Sequence, residues 1–197
     1  MQFLLATRNK GKIAEMRTLL ADAKITLIGP DELNIADDVE ETGSTFAENA
    51  MLKASSYARA SGLHSMADDS GLEVSALGGR PGVYSARYAG IGTGYDEKIG
   101  ALLAEIESTG SADRTARFVS HITIADPSGK LLFEAEGICP GSIRNTPLGN
   151  NGFGYDPVFI PDGFDKTFGE LGDKVKQTIS HRSIAISKII RFLRDFA

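Results

Sequence analysis

The stretch FLLATRNKGKIAEMRTLLA, from Phe3 to Ala21, decides the fold class of this chain. Phe3 to Thr7 is apolar and predicts a buried strand. A loop from Thr7 to Lys12 follows, and apolar residues then recur at helical spacing. These residues are Ile13, Met16, Leu19, Leu20 and Ala23. The chain therefore starts with a strand, a loop and a helix in succession.

Helices and strands continue to alternate along the chain, and a hairpin follows. Thr45 with Glu48 three residues later is a capping-box pattern, which predicts the start of a helix that Gly62 ends. The predicted helices are 46–60, 95–107 and one from about Ser180. The predicted strands are 25–28, 64–68 with a continuation at 72–76 after a turn, 117–125, 131–138 and 158–160. The turn Asp126 to Gly129 joins two of them as an antiparallel hairpin, so we expect an α/β fold with a mixed sheet flanked by helices.

Length and composition indicate one globular domain over residues 1–197. Hydrophobic residues make up 42% and charged residues 24% of the chain, which argues against a disordered or fibrous protein. The sequence has no apolar run that could cross a bilayer and no signal-peptide pattern at Met1 to Ala6. The single cysteine, Cys139, fits a reducing compartment, so we expect a cytoplasmic protein. A net charge of −5 argues against binding to a nucleic acid polymer.

Two acidic pairs are candidate ligands for a metal ion. Asp68 and Asp69 follow a short apolar segment and precede a predicted turn, and Glu40 and Glu41 lie in the acidic segment 37–43. Carboxylates are preferred ligands of Mg²⁺, which also binds phosphate oxygens of a substrate. The residues alone leave open which member of each pair binds the metal ion. They also allow a plain reading, namely turn and cap chemistry for the aspartates and a solvated loop for the glutamates.

Basic residues near the start of the chain are candidates for phosphate binding. The loop Thr7 to Lys12 lies between a strand and a helix, where free backbone N–H groups and the helix dipole favour an oxyanion. Lys12, with Lys10 or Arg8, adds positive charge, although the spacing is not that of a P-loop. An ordinary turn with solvated lysines is the alternative. Lys53, on the helix after the acidic segment, can likewise be a solvated surface residue.

The second half of the chain offers an aromatic and several basic side chains as candidates for binding a substrate. Phe153 stands between glycines, where an aromatic ring can stack on a base or can fill a core. Lys176 precedes His181 and Arg182 at a helix start, and these side chains can donate hydrogen bonds to oxygen acceptors. His121 alternates with apolar residues in a predicted strand and is interpreted as structural.

Six sequence blocks occur in the order typical of one protein family. They are Thr7 to Lys12, Glu40 to Ala50, Ala67 to Leu72, Leu77 to Tyr88, Phe153 to Pro157 and Ile179 to Arg182. In this order the chain resembles the inosine/xanthosine triphosphate pyrophosphatases, hydrolases of noncanonical purine nucleotides. The resemblance spans nearly the whole chain.

The resemblance implies an elongated mixed sheet in two lobes with an active-site cleft, and a homodimer. It implies Mg²⁺-dependent hydrolysis of ITP, dITP and XTP to the monophosphate and pyrophosphate. Glu40 and Asp69 would bind the metal, and Asp69 would also be the catalytic proton acceptor. The implied substrate-binding residues are Thr7, Arg8, Asn9, Lys10, Gly11, Lys12, Lys53, Ser70, Phe153, Gly154, Tyr155, Asp156, Lys176, His181 and Arg182. Among them, Ser70, Lys53 and Lys176 would contact phosphate or nucleotide. The base pocket would be shaped by 153–156, His181 and Arg182.

Two departures from the family pattern stand out. Arg8 replaces a smaller or uncharged residue of many relatives, and the run Pro147 to Asn151 is poorer in glycine than expected. Two other functions remain open at this point. One is a nucleotide pyrophosphatase that prefers a pyrimidine or a modified base, and the other is a non-catalytic nucleotide sensor.

Overall fold

The computed structural model describes residues 1–36 and 38–196. These residues form a mixed sheet of six strands, five flanking α-helices and four short 3-10 helices. The strands are β1 (Gln2–Leu5), β2 (Thr26–Ile28), β3 (His64–Val74), β4 (Thr115–Ala125), β5 (Leu131–Ile143) and β6 (Phe159–Pro161). The helices are α1 (Lys10–Leu19), α2 (Phe46–Ser61), α3 (Tyr95–Ser108), α4 (Asp173–Ile179) and α5 (His181–Phe196). Asp37, in the acidic segment, lies outside the described residues.

The strand order is β2-β1-β3-β4-β5-β6. β1 pairs in parallel with β2 and β3, whereas β5 and β6 are antiparallel, so the mixed sheet is confirmed. The predicted hairpin turn is also present. Gly129 N–H donates to the Asp126 carbonyl at 2.8 Å, and Asp126 N–H donates to the Lys130 carbonyl at 2.9 Å.

The chain forms two compact units, each assembled from separate segments. The first unit comprises Met1–Asp69, Ser120–Gly137 and Arg182–Ala197. The second comprises Ser70–Val119 and Ile138–His181. The division therefore falls inside β3, between Asp69 and Ser70.

The first unit has apolar side chains on both faces of its strands, as alternation along β1 requires. Phe3 and Leu5 pack with residues of α1 and α5, including Met16 and Ile189. Leu4 lies in the other cluster, to which α2 contributes Ala54, Tyr57 and Ala58. α2 begins where predicted, because Thr45 and Glu48 exchange hydrogen bonds of 3.1 Å between side chain and backbone.

The second unit has one apolar core built around the aromatic ring of Phe118. The centroid of the Phe159 ring lies 4.5 Å from that of Phe118, and that of Phe168 lies 6.5 Å from it. Residues from β3, α3 and β5 pack in the same core: Leu72, Val74, Ile99, Leu102, Ile106 and Ile143. Phe153 is not among these buried residues, so it does not fill this core.

Two expectations about local structure are wrong, and one helix was not predicted. β3 is one continuous strand, so Asp68 and Asp69 lie inside a strand rather than before a turn. β5 continues to Ile143 instead of ending near 138. The short helix α4 has only seven residues and carries two lysines and an aspartate, so its sequence has no amphipathic pattern long enough to reveal it.

Within the described residues, no helix is both long and apolar enough to span a membrane.

Candidate active site

Asp68 is a completely buried carboxylate with partners on both oxygens. Its Oδ1 accepts a hydrogen bond of 2.6 Å from Ser120 Oγ. Its Oδ2 lies 3.0 Å from Lys12 Nζ and 3.1 Å from Arg182 Nη2. Burial alone would raise the pKa of Asp68, but Arg182 and Lys12 hold that pKa well below its usual range. Asp68 is therefore an ionised anchor whose acceptor sites are already engaged.

Asp69, the next residue, has a different environment. Its Oδ1 accepts a hydrogen bond of 2.7 Å from Lys53 Nζ. Its Oδ2 is buried and has no hydrogen-bond partner among residues 1–36 and 38–196. Burial raises the pKa of Asp69, with Glu41 adding to the effect and Lys53 and Lys12 opposing it. A buried carboxylate oxygen without a donor is costly, so this atom is suited to a metal ion or a water.

Lys53 connects the two acidic pairs. Besides Asp69, its Nζ donates to Glu41 Oε1 at 2.6 Å and to the Asp68 carbonyl at 3.0 Å. Burial would lower the pKa of Lys53, but the carboxylates of Asp69 and Glu41 together raise it. Lys53 is 8% exposed. It is therefore a buried ammonium group, and the reading as a solvated surface lysine is wrong.

The two glutamates of the acidic pair at 40–41 also have different environments. Glu41 contacts Lys53, whereas Glu40 is exposed. The choice of Glu40 as metal ligand stays a prediction, and the geometry offers Glu41 beside it. The described residues contain no group of three or more His, Cys, Asp or Glu side chains that could hold a metal. A site with one or two carboxylates still fits Mg²⁺, which keeps several waters and binds substrate phosphates.

The loop between β1 and α1 is ordered by its own polar side chains. Thr7 Oγ1 accepts from the Asn9 N–H, and Asn9 Oδ1 accepts from the Lys12 N–H, both at 3.2 Å. Asn9 is thus the N-cap of α1. Lys10 is exposed, and Gly11 lies in the first turn of α1. Lys12 reaches the Asp68 carboxylate, and burial lowers its pKa against the opposing effect of Asp68.

Arg182 lies in this group of charges. It is 1% exposed, and its guanidinium donates to Asp68 and to Glu15 of α1. Its assignment as a base-binding residue stays a prediction, because these contacts direct it to a carboxylate of the chain itself. Glu15 and Ser120 were not predicted. Ser120 is one of several polar residues in β4, and Glu15 is the single acidic residue of α1 with no motif around it, so neither had a distinguishing signal.

The second unit brings together several predicted substrate-binding residues. Lys176 Nζ lies 2.5 Å from Asp156 Oδ2 and 4.7 Å from the centroid of the Phe153 ring. Asp156 Oδ2 also accepts the Phe153 N–H at 2.7 Å. Gly152 is required here, since it has φ +72° and a Cβ would lie 2.0 Å from Asp156 Oδ2. The ion pair therefore fixes both the loop and the position of the aromatic ring.

The remaining predicted residues of the second unit lie in its strands, loops and helix ends. Tyr155 is buried, and its hydroxyl donates to the Ser85 carbonyl at 3.0 Å. Gly154 adopts φ +72°. His181 stacks on Phe118 with centroids 4.8 Å apart and an interplanar angle of 16°. Ser70 is half-buried in β3.

The fold and these contacts define an α/β protein in which paired carboxylates and buried lysines lie side by side. The family model described as the Ham1 family matches residues 3–192, and the chain belongs to that family.

Similar proteins cover nearly the full chain. A protein of Gloeobacter violaceus named dITP/XTP pyrophosphatase is 50% identical over 96% of this chain and 93% of its own length. One of Streptomyces avermitilis with the same name is 46% identical over 98% of both chains. The structure of a HAM1 protein from Coxiella burnetii has a TM-score of 0.91 at 40% identity over 99% of both chains. The Ham1 protein of Staphylococcus aureus has a TM-score of 0.89 at 41% identity over 100% of both.

Proposed function

We propose that this chain hydrolyses ITP, dITP and XTP to the nucleoside monophosphate and pyrophosphate with Mg²⁺, and so removes noncanonical purines from the nucleotide pool. The main support is the environment of the buried Asp69 carboxylate. One of its oxygens accepts a hydrogen bond from Lys53, and the other has no partner among the described residues. Relatives of the chain are named dITP/XTP pyrophosphatases, and these names support the same substrates for this protein.

In this proposal Asp69 accepts a proton from the water that attacks the α-phosphorus, and pyrophosphate leaves. A raised pKa suits this role, because a base with a pKa nearer the working pH transfers protons more effectively. Asp69, with Glu40 or Glu41, would hold Mg²⁺, which supplies neutralisation of phosphate charge when it is bound. Lys12 and Lys53 stabilise negative charge on the phosphates, where most of the catalytic help in phosphoryl chemistry arises.

Recognition of the base is assigned to the second unit. Phe153 offers a ring for stacking, and Lys176 and His181 offer donors for the 6-oxo group of hypoxanthine or xanthine. Adenine carries an amino group at that position, which would leave a donor of the site without an acceptor. Guanine shares the 6-oxo group and must be rejected at its 2-amino group.

The test is pyrophosphate release from ITP, dITP, XTP, GTP, ATP and dTTP, each with and without Mg²⁺. Mg²⁺-dependent release from the first three, with little from GTP and ATP, is the expected result. Preference for dTTP would instead identify a pyrimidine-preferring pyrophosphatase. Tight binding of ITP without release from any nucleotide would identify a sensor.

A variant pair tests the role of Asp69. We expect Asp69→Asn to lose about a thousandfold in turnover, because it removes a general base, while the protein still folds. Asp22→Asn, at an exposed position outside the site, is the matched control and should keep wild-type turnover. Retained turnover in Asp69→Asn would remove Asp69 from the chemistry.

We also propose that the protein is a homodimer, because the family resemblance implies one. The single cysteine supports a cytoplasmic location. Sedimentation equilibrium would measure the mass of the assembly, and a monomer at micromolar concentration would contradict the dimer.

A further inference from the structure

Arg8 lies in the predicted phosphate loop, yet its side chain is directed to the segment that precedes the acidic pair. Its Nε donates to Asp31 at 3.2 Å, and its Nη2 donates to the carbonyls of Ile35 and Ala36. Its Nη1 lies 3.4 Å from Asp38. One guanidinium thus contacts the segment at several points between residues 31 and 38.

Tyr57 of α2 completes this contact. Its hydroxyl accepts from Arg8 Nη1 at 3.0 Å and donates to Asp38 Oδ1 at 3.3 Å. The ring is 2% exposed and packs in the apolar cluster under α2, so the hydroxyl is held by a rigid residue. Arg8, Tyr57 and Asp38 therefore form a closed triangle of polar contacts, which we call the Arg8 triangle.

The Arg8 triangle lies next to the contact that holds Glu41. Lys53 and Tyr57 are four positions apart on α2 and so lie on the same face of the helix. Tyr57 binds Asp38, and Lys53 binds Glu41 at 2.6 Å. Two side chains one helical turn apart thus hold both ends of the four-residue segment 38–41, which includes both candidate metal ligands of the acidic pair.

We propose that Arg8, acting with Tyr57, is a positioning residue that places the acidic pair Glu40–Glu41 for the metal ion. The proposal rests on the function proposed above, since it concerns the same metal ion. We assign Arg8 no direct contact with phosphate or metal. It acts through segment 31–38, as outer partners of metal ligands do when they orient those ligands.

The test compares Arg8→Ala, Arg8→Lys and Tyr57→Phe with Arg17→Ala. Arg17 is the matched control, because it is an exposed arginine of α1 that pairs with Glu32, next to Asp31, and has no contact with the described residues 35, 36 and 38. The first measurement is the Mg²⁺ concentration for half-maximal pyrophosphate release from ITP, together with the KM for ITP at saturating Mg²⁺. The second is hydrogen exchange of residues 38–44 in the metal-free protein, and the third is Mn²⁺ binding followed by EPR.

We expect Arg8→Ala to raise the half-maximal Mg²⁺ concentration about fivefold. This is a smaller effect than the tenfold to hundredfold typical of removing a residue that hydrogen-bonds a metal ligand directly. The KM for ITP at saturating Mg²⁺ should change less than about twofold, Mn²⁺ should bind more weakly, and exchange at 38–44 should become faster. Arg8→Lys should not rescue, because an ammonium cannot reproduce the planar fork of donors. Tyr57→Phe should show a smaller change in the same direction, and Arg17→Ala none.

Two results would overturn the proposal. A raised KM for ITP with an unchanged Mg²⁺ requirement would make Arg8 a direct phosphate ligand. A lower melting temperature with unchanged Mg²⁺ requirement and exchange would make its role only structural. If the wild-type protein released no pyrophosphate, the proposed function would fail by itself. Exchange at 38–44 and Mn²⁺ binding would then still decide whether Arg8 positions the segment, and Tyr57→Phe would serve if Arg8→Ala did not fold.

Discussion

Asp68 and Asp69 are adjacent in β3, yet their carboxylates bind different lysines. Asp68 Oδ2 lies 3.0 Å from Lys12 Nζ, and Asp69 Oδ1 lies 2.7 Å from Lys53 Nζ. Successive side chains of a strand point to opposite faces, so two identical neighbours enter two environments. One becomes an ionised anchor with both oxygens engaged, and the other keeps an oxygen without a partner in the described residues.

Asp68→Asn is expected to destabilise the protein without acting on the chemistry directly. The change removes the negative charge between Arg182 and Lys12, so Lys12 loses its carboxylate partner while Arg182 keeps Glu15. Breaking a buried ion pair on one side costs about 3–5 kcal/mol in the free energy of unfolding at neutral pH. Urea unfolding followed by circular dichroism measures the cost. Asp22→Asn, at an exposed position, should change the stability by less than about 0.5 kcal/mol.

The pH dependence of this cost follows from the depressed pKa of Asp68. Its pKa is lower in the folded than in the unfolded protein, so ionisation of Asp68 contributes stability above the unfolded pKa of about 3.9. That contribution is lost as the pH falls through the folded pKa. The stability difference between wild type and Asp68→Asn should therefore be full at pH 6 and shrink below about pH 4. A difference that did not vary with pH would contradict the assigned charge.

Asp69 is expected to titrate at a higher pH than Asp68 in the metal-free protein. Burial raises its pKa and the Glu41 charge adds to this, so Glu41→Gln should lower the pKa of Asp69. Mg²⁺ should also lower it, because a bound cation favours the carboxylate. Carbon-detected NMR of the aspartate side chains measures each value. An Asp69 pKa at or below the ordinary value of about 3.9 would contradict the prediction.

Lys176→Met should weaken discrimination between bases. It removes the ammonium beside Phe153 and leaves the Asp156 carboxylate, which is 1% exposed, without its charge partner. We expect kcat/KM for ITP to fall about tenfold to a hundredfold and the ratio of ITP to ATP to fall with it. Lys174→Met, at an exposed position of the same helix, is the control and should leave both unchanged. An unaltered ratio in Lys176→Met would separate Lys176 from base recognition.

Cys139 should be unreactive in the folded protein. It is 3% exposed, and burial, with smaller effects of Asp162 and Asp156, raises the pKa of its thiol to about 12. The thiolate is the reactive form, so a thiol reagent at pH 8 should modify Cys139 only after unfolding in urea. Mass spectrometry of the native and unfolded protein measures the difference. Fast labelling of the native protein would indicate an accessible thiolate.

The local elements of this protein were determined by short-range patterns in its sequence. The capping box at Thr45 and Glu48 and the glycine at 62 place the ends of α2 within one residue of the prediction. Helix caps and turns depend on residues within a few positions, so a single sequence contains the information. The order of motifs likewise identified the family, which the family model confirms.

Only the tertiary structure decided what each charged residue does. The sequence could not separate Asp68 from Asp69, could not reveal Ser120 or Glu15 as partners, and could not show that Arg8 is directed to Asp31 and Asp38. These roles depend on burial and on contacts between residues up to 167 positions apart. Burial raises the pKa of a carboxylate, whereas nearby positive charges lower it. Its protonation state is therefore known only when its neighbours in space are known.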